Sequence, residues 1–324
     1  MTLVAGVLES TVRLATPLLL AAMGEIIAER SGVLNLGVEG MMLGGALTGF
    51  AAAVASGSLV VGFIAGTAIG AAMALLHAVL CVSFEADQVI SGIMLTLLGV
   101  GLTTYFSQGW VGESIEGFRT ITVPLLSEIP VVGAAFFSVT ALDYLGLALV
   151  PFVWYLLFRT NVGREITAVG DDPETADTAG VPVYRIQYAC VVLGGAFAGA
   201  GGAQLSLAFT NFWAPEMVAG RGWIAVALVI FAQWRIWRVL AGTYFFAAID
   251  ALSFRAAAVR DATLGVLDTP ALESTVRFLL NPQVMNTYPY LLTIAVLWYV
   301  MRRGTLAELG APSALLESYS RERD

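Results

Sequence analysis

The sequence of 324 residues contains no lysine, and its 16 basic residues are all arginine. A phosphate-binding loop of the GxxxxGK[ST] type needs its lysine on the nucleotide phosphates, so this chain cannot bind ATP in that way. Charged residues make up only 12% of the chain, against roughly 25% in soluble domains. These two absences exclude a P-loop ATPase and indicate an integral membrane protein.

Histidine and cysteine are also scarce. The sole histidine, His77, lies in an apolar run with no second ligand nearby, so we predict a packed or hydrogen-bonded helix residue. Cys81 and Cys190 fall in separate apolar runs, which favours buried thiols without a disulfide. With no clustered catalytic set, we expect no metal, no catalytic residues and no enzymatic activity.

Hydrophobic residues dominate what is present: 58% of the chain, with a mean hydropathy of +0.82. A spanning helix needs roughly 20 apolar residues. Suitable runs occur at about 10–28, 39–56, 59–84, 88–109, 141–158, 186–210, 222–239, 240–259 and 287–301. We therefore predict an all-α fold, a polytopic transmembrane helical bundle of about eight to ten spans, formed by residues 1–324 as a single domain.

Small residues crowd several of these runs. Gly62, Gly66 and Gly70 recur every four residues, and a second cluster contains Gly194, Gly195, Gly199, Gly201 and Gly202. Such positions let helix backbones approach closely in lipid. We expect most of them to serve helix packing.

Polar groups interrupt the apolar pattern between Gly24 and Met42. The stretch contains Glu25, Glu29, Arg30, Asn35 and Glu39. Charges and unwound backbone at membrane depth are tolerated where they pair, are buried in protein or line a water-filled path. We predict a broken or re-entrant helix near residues 24–40 that forms part of a solute path.

A second interruption, Asn211–Trp223, contains Pro215, Gly220 and Gly222. Transporters often place corresponding broken segments in two halves of the chain. We therefore predict that the two interruptions face one substrate pathway, in which amides offer hydrogen bonds and tryptophans offer flat faces. Its candidate residues are Asn35, Gly37, Glu39, Asn211, Trp213, Arg221 and Trp223.

Two acidic residues in this region have alternative roles. Glu39 could pair with Arg30 or Arg221 and hold the break in shape, or accept hydrogen bonds from solute hydroxyls. Asp250 could pair with Arg255 or with a residue of another helix, or carry protons as in a secondary transporter. One acid without a relay of further titratable groups argues against the proton carrier.

The distribution of arginine predicts the topology. Placing the loop 159–185 in the cytoplasm puts nine arginines inside and three outside, as the positive-inside rule requires. The tail 302–324 is then cytoplasmic. Within the loop, Asp171 and Asp172 followed by Pro173 predict a helix start, and Gly180 with Pro182 predict its end.

This loop also carries a recognisable motif. Glu174-Thr175-Ala176 with Gly180 resembles the E-A-A-x-x-x-G loop of ABC-importer permeases, although Thr175 replaces the usual alanine. In that family the loop forms a coupling helix on the ATPase subunit. The resemblance implies ATPase coupling by Asp172, Glu174, Ala176 and Gly180.

Almost the whole chain shares this resemblance. GEIIAERSGVLNLGVEGMMLGGA, AVGDDPETADTAGVPV, LGGAFAGAGGAQL and MVAGRGWIAVALVI occur in order. Together they resemble the branched-chain amino acid/ribose-type ABC permeases, and within them the shorter permease of nucleoside importers that use basic-membrane-protein-type receptors.

The resemblance implies a permease for nucleosides or related solutes in the cytoplasmic membrane. The expected partners are an ATPase subunit that binds ATP, a second homologous permease in a heterodimer, an extracytoplasmic solute-binding lipoprotein and membrane lipid, with no nucleic acid. Riboflavin, simple sugars or branched-chain amino acids are alternative solutes. A proton-coupled secondary transporter is the alternative class.

Overall fold

The computed structural model describes residues 3–130, 132–264, 270–285, 287–302 and 310–320. These residues form a helical protein, as predicted. In chain order the helices are α1 Leu3–Glu29, α2 Val38–Ser56, α3 Leu59–Ala78, α4 Gln88–Phe106, α5 Val132–Phe137, α6 Ala141–Arg159, α7 Asn161–Asp171, α8 Pro173–Thr178, α9 Val183–Gln204, α10 Arg221–Phe231, α11 Ile236–Phe254, α12 Ala256–Leu264, α13 Pro270–Leu279, α14 Pro282–Met285 and α15 Tyr288–Met301.

Short segments of other geometry supplement the helices. Helices α3 and α9 continue into π-helical turns, Val79–Ser83 and Leu205–Phe209, and Ser107–Gly109 forms a 3₁₀ turn after α4. Two short strands, β1 Thr120–Thr122 and β2 Ser138–Thr140, pair in antiparallel register.

Six helical segments in the part of the chain described are long and apolar enough to cross a membrane: Val4–Glu29, Val38–Ser56, Leu59–Ser83, Gln88–Gly109, Ala141–Arg159 and Val183–Phe209. Helix α10 is a shorter apolar helix. The sequence runs predicted each of the six, so the polytopic all-α bundle is confirmed.

The boundary predicted at residues 239/240 was wrong. Helix α10 ends at Phe231 and α11 begins at Ile236. Between them Gln233 and Trp234 adopt left-handed backbone, with φ of +54° and +51°. The predicted spans 222–239 and 240–259 therefore divide several residues too late.

Helix α9 lies at the centre of the bundle against α1, α2 and α3. Its glycines face glycines of its neighbours: a Cβ added to Gly199 would lie 2.9 Å from Gly70 Cα, and one added to Gly45 would lie 2.6 Å from Gly199 Cα. Such distances are shorter than real Cβ contacts allow. The predicted packing role of the glycine clusters is confirmed here.

The histidine and the two cysteines are buried, as the sequence predicted. His77 is buried, with Nδ1 2.9 Å from Ser91 Oγ and Nε2 3.0 Å from the Leu34 carbonyl oxygen. Cys81 and Cys190 are buried free thiols. Among the described residues, no group of three or more His, Cys, Asp or Glu is arranged to hold a metal ion.

Candidate functional site

The first interruption is the segment Arg30–Gly37, between the end of α1 and the start of α2. Its Asn35 is buried, with 1% of its surface exposed. The Asn35 side-chain oxygen accepts a hydrogen bond from the Gly37 N–H (3.0 Å), and the Asn35 N–H donates to Glu25 Oε1 (3.0 Å). Hydrogen bonds of Asn35 with Gly37 and Glu25 thus fix the conformation of the interruption.

Side chains from α4 bind two further peptide groups of this segment. Gln88 Oε1 accepts from the Leu34 N–H (2.8 Å), and the Thr96 hydroxyl donates to the Leu36 carbonyl oxygen (3.0 Å). Non-helical backbone at membrane depth needs such partners because lipid offers none. The segment is therefore an ordered part of the bundle, bound by side chains of its neighbours.

Glu39 connects this first interruption to the second. Its Oε1 accepts from the Gly220 N–H (2.8 Å) and its Oε2 from the Gly222 N–H (2.7 Å). Gly220 has φ of +82° and is the N-cap of α10, so the Glu39 carboxylate occupies a helix N-terminus, where backbone donors and the helix dipole favour negative charge. The two interruptions therefore meet through one carboxylate.

Of the alternatives for these two acids, the pairing of Asp250 with a residue of another helix is confirmed, whereas Arg30 is not the partner of Glu39. Glu39 is bound by backbone amides; Arg30 instead donates to the Trp234 carbonyl oxygen (3.2 Å) and lies over the Phe158 ring. Asp250 pairs with Arg221, at 3.4 Å between Oδ2 and the guanidinium, whereas Arg255 donates to Ser10 Oγ (3.3 Å).

The Arg221–Asp250 pair lies at the wall of a cavity of about 710 Å³. Both side chains are mostly buried. The cavity is bounded by the start of α10, by α11, by the π-helical turn after α9 and by α15. Its lining combines hydroxyls, the ion pair and aromatic rings: Leu205, Phe209, Thr210, Met217, Ala219, Arg221, Ile224, Asp250, Ser253, Phe254, Ala256, Ala257 and Tyr290. This size is typical of small-molecule sites.

The other sequence-predicted residues lie outside the cavity wall. Trp213 is packed in the core with 1% exposure, and Trp223 is 40% exposed on α10. Asn211 has φ of +62°, and its carbonyl oxygen accepts from the Ile115 N–H (2.9 Å). Of the seven predicted pathway residues, Arg221 lines the cavity. Glu39 binds the backbone N–H groups on either side of Arg221.

Sequence reasoning missed Thr210, Ser253 and Tyr290, which lie in or after apolar runs and carry no local signal. It also missed the buried hydrogen bond from the Trp234 indole N–H to Glu29 Oε2. That contact joins residues 205 positions apart, and no periodicity in the sequence could have indicated it.

The loop 159–185 folds into α7 and α8. Asp172 caps α8: Oδ1 accepts from the Thr175 N–H (2.9 Å) and Oδ2 from the Thr175 hydroxyl (2.6 Å). These two hydrogen bonds lower the pKa of the Asp172 carboxyl. Gly180 ends the turn with φ of +88°, so the predicted short capped helix is confirmed; helix α7 before it was not predicted.

The residues of α8 divide by exposure. Glu174 is exposed, whereas Ala176 is buried against Val169 and Val183. The helix therefore presents its acidic N-terminal turn outward and anchors itself through Ala176.

Comparison with known proteins gives consistent matches. The family model described as branched-chain amino acid transport system / permease component matches residues 7–281. TsgC13 of Haloferax volcanii, provisionally named a glucose ABC transporter permease, is 56% identical over 333 residues, covering 100% of both chains. No solved structure matches the chain.

Two bacterial relatives carry nucleoside names. The guanosine ABC transporter permease NupQ of Bacillus subtilis is 34% identical over 259 residues, covering 76% of this chain and 81% of NupQ. The nucleoside ABC transporter permease NupC of Lactococcus lactis is 33% identical over 295 residues, covering 87% and 88%.

Proposed function

The chain belongs to the permease family of the branched-chain amino acid transport systems, and from that premise we propose that it carries nucleosides or related hydroxylated solutes. As a member it is the multi-pass membrane subunit of an ABC importer and is not an enzyme. It works with an ATPase subunit and a solute-binding protein. The family leaves the proton-coupled alternative without support.

The observation that carries the proposal is the cavity beside α10. The Arg221–Asp250 pair offers donors and acceptors to solute hydroxyls, and Phe209, Phe254 and Tyr290 offer apolar rings. A nucleoside has both kinds of surface, a ribose and a flat base. We propose this cavity as part of the solute route, with Glu39 fixing the position of Arg221 by holding Gly220 and Gly222.

A simple sugar is the second candidate solute. The full-length, 56% identical TsgC13 is named for glucose, and the polar part of the cavity would bind a hexose equally well. The two candidates differ in their need for the aromatic rings.

Uptake by the complete transporter distinguishes these solutes. The permease would be reconstituted in vesicles with its ATPase, second permease and solute-binding protein, and tested with radiolabelled guanosine, glucose and riboflavin. We expect ATP-dependent uptake of guanosine that excess unlabelled nucleoside suppresses. Exclusive uptake of glucose would select the sugar, and uptake without ATP would contradict the ABC mechanism.

The ion pair has a predicted effect on uptake. Arg221→Gln or Asp250→Asn alone should lower uptake at least about tenfold, because each leaves a mostly buried charge without its partner. The double variant Arg221→Gln/Asp250→Asn should recover thermal stability but not uptake. Uptake rates and melting midpoints in detergent measure the two effects.

The control is the exposed pair Arg119–Glu116, whose side chains are 86% and 83% exposed. Such pairs contribute about 0–1 kcal/mol, so Arg119→Gln/Glu116→Gln should match the wild type in both assays. If the Arg221/Asp250 double variant also transports normally, the pair is structural only.

We further propose that α8 is the coupling helix for the ATPase. The support is its exposed Glu174, its cap at Asp172, its anchor Ala176 and the left-handed turn at Gly180. Glu174→Arg/Gly180→Ala should lower uptake and solute-stimulated ATP hydrolysis at least about tenfold, since alanine at positive φ costs about 1–2 kcal/mol and the charge is reversed.

The segment between α4 and α5 offers a matched control. Gly112 has φ of +90° with nothing within 4 Å of an added Cβ, as at Gly180, and Glu113 beside it is exposed. Glu113→Arg/Gly112→Ala carries the same strain and charge reversal and should transport normally. Equal losses in both double variants would mean that strain, not coupling, is responsible.

Four further features belong to the same proposal. The chain forms one permease domain, lies in the cytoplasmic membrane, keeps 159–185 and 302–324 in the cytoplasm, and pairs with a second, different permease. The arginine distribution supports the orientation, and resemblance to the shorter permease of nucleoside importers supports the heterodimer. The mass of the purified complex tests the pairing.

A further inference from the structure

The C-terminal segment Ala311–Ser320, here called the strap, folds back onto the loop that contains α7 and α8. The Ala314 N–H donates to the Gly170 carbonyl oxygen at the end of α7 (2.9 Å). The Tyr319 ring lies 5.5 Å from the Tyr184 ring at the start of α9. Ala314 and Tyr319 are 6% and 9% exposed, so the strap is packed, not a free tail.

Tyr319 completes a small apolar cluster. Its other buried members are Val169 of α7, Ala176 of α8 and Val183 of α9, so each of three helices contributes one residue. Helix α8 has only six residues, too few to be stable by hydrogen bonding alone. Its position therefore depends on this packing, to which the strap contributes the largest of the buried side chains.

The strap also contacts the point where the loop meets the first interruption. Gly170 packs so closely on residues 30–32 that an added Cβ would lie 2.9 Å from the Arg30 carbonyl carbon. The Ala314 N–H donates to the carbonyl oxygen of the same glycine, Gly170. Continuous contact thus runs from α8 through Gly170 to Arg30–Gly37 and on to Glu39.

We propose that the strap positions α8 against this contact, so that displacement of α8 by the ATPase reaches the interruption at Arg30–Gly37. Ala314 and Tyr319 are the positioning residues: the first fixes the strap to Gly170, the second holds α8 through Ala176. The proposal rests on the coupling role proposed for α8.

Two pairs of variants test the strap. Deleting residues 311–324 removes it, whereas deleting 321–324 leaves it intact. Tyr319→Ala empties the cluster, whereas Tyr319→Phe keeps the ring. We expect the longer deletion and Tyr319→Ala to lower the number of solute molecules transported per ATP hydrolysed by about tenfold, with the shorter deletion and Tyr319→Phe close to wild type.

Hydrogen exchange of the full chain in nanodiscs gives a readout that needs no ATPase. Amides of residues 168–180 should exchange at least about tenfold faster in the longer deletion and in Tyr319→Ala, while those of α2 and α9 stay protected. Wild-type protection of 168–180 in both variants would overturn the proposal.

The two measurements separate the possible failures. If protection is lost but the transport ratio is unchanged, the strap only stabilises the loop and its positioning role is overturned. If the wild-type complex transports nothing while exchange still depends on the strap, the proposed function has failed and the packing has not.

Discussion

Replacing Glu39 by alanine is expected to abolish ATP-dependent uptake. The change removes both acceptors of the Gly220 and Gly222 N–H groups, and each buried donor left without a partner costs about 1–3 kcal/mol. The start of α10 would lose its fixed position, and Arg221 with it. Uptake in the reconstituted complex should fall at least about 100-fold. Such a factor corresponds to roughly 2.7 kcal/mol.

Glu39→Gln refines this test. The amide is isosteric with the carboxyl but presents one acceptor and one donor to two N–H groups, so uptake should fall between wild type and Glu39→Ala. Glu128→Ala, at an exposed acid between α4 and α5, serves as the control and should change nothing. Normal uptake by Glu39→Ala would show that the two interruptions do not depend on this carboxylate.

Replacing Gly199 by alanine should prevent the bundle from packing normally. The new methyl group would lie 2.9 Å from Gly70 Cα and 3.0 Å from Gly70 N, and these are backbone atoms that cannot rotate away. Overpacking of this kind costs about 1–3 kcal/mol or more. At about 2–4 °C per kcal/mol, the melting midpoint in detergent should fall by several degrees and the yield of folded protein should drop.

Gly101 provides the matched substitution. It lies within α4 and has nothing within 4 Å of an added Cβ. Gly101→Ala should leave the melting midpoint unchanged or raise it, because alanine is favoured over glycine in a helix by up to about 1 kcal/mol. A lower midpoint for Gly101→Ala than for Gly199→Ala would contradict the packing argument.

Local signals in the sequence predicted local structure well. Asp172, Pro173 and Gly180 specify the start and end of α8 through side-chain capping, a fixed φ and a left-handed turn, all properties of single residues. The apolar runs likewise predicted the six long helices, since their length is set by the membrane.

The turn between α10 and α11 shows where such signals fail. Gln233 and Trp234 adopt positive φ without any glycine or proline to mark the turn. Contacts with the last residue of α1 and the residue after it hold Trp234: Glu29 accepts from the Trp234 indole N–H, and Arg30 donates to the Trp234 carbonyl oxygen. Tertiary contacts thus set a boundary that the continuous apolar sequence conceals.

Only part of the candidate site could be predicted, because tertiary contacts also determine the partners of its charged residues. The meeting of the two interruptions followed from the pattern of their polar residues. The partner of Glu39 did not, because side chains suggest side-chain partners and the actual donors are the Gly220 and Gly222 backbone amides. The Asp250 partner lies 29 residues away on another helix, beyond the reach of spacing arguments.

The two buried thiols have a practical consequence. Cys81 and Cys190 are each 4% exposed, and the chain has no lysine side chain to react with amine reagents. A cysteine introduced at an exposed position, such as Glu174 on α8 or Leu316 on the strap, would therefore be labelled against a nearly silent background. Pairs of spin labels at such sites could report distances through the transport cycle without first removing a native cysteine.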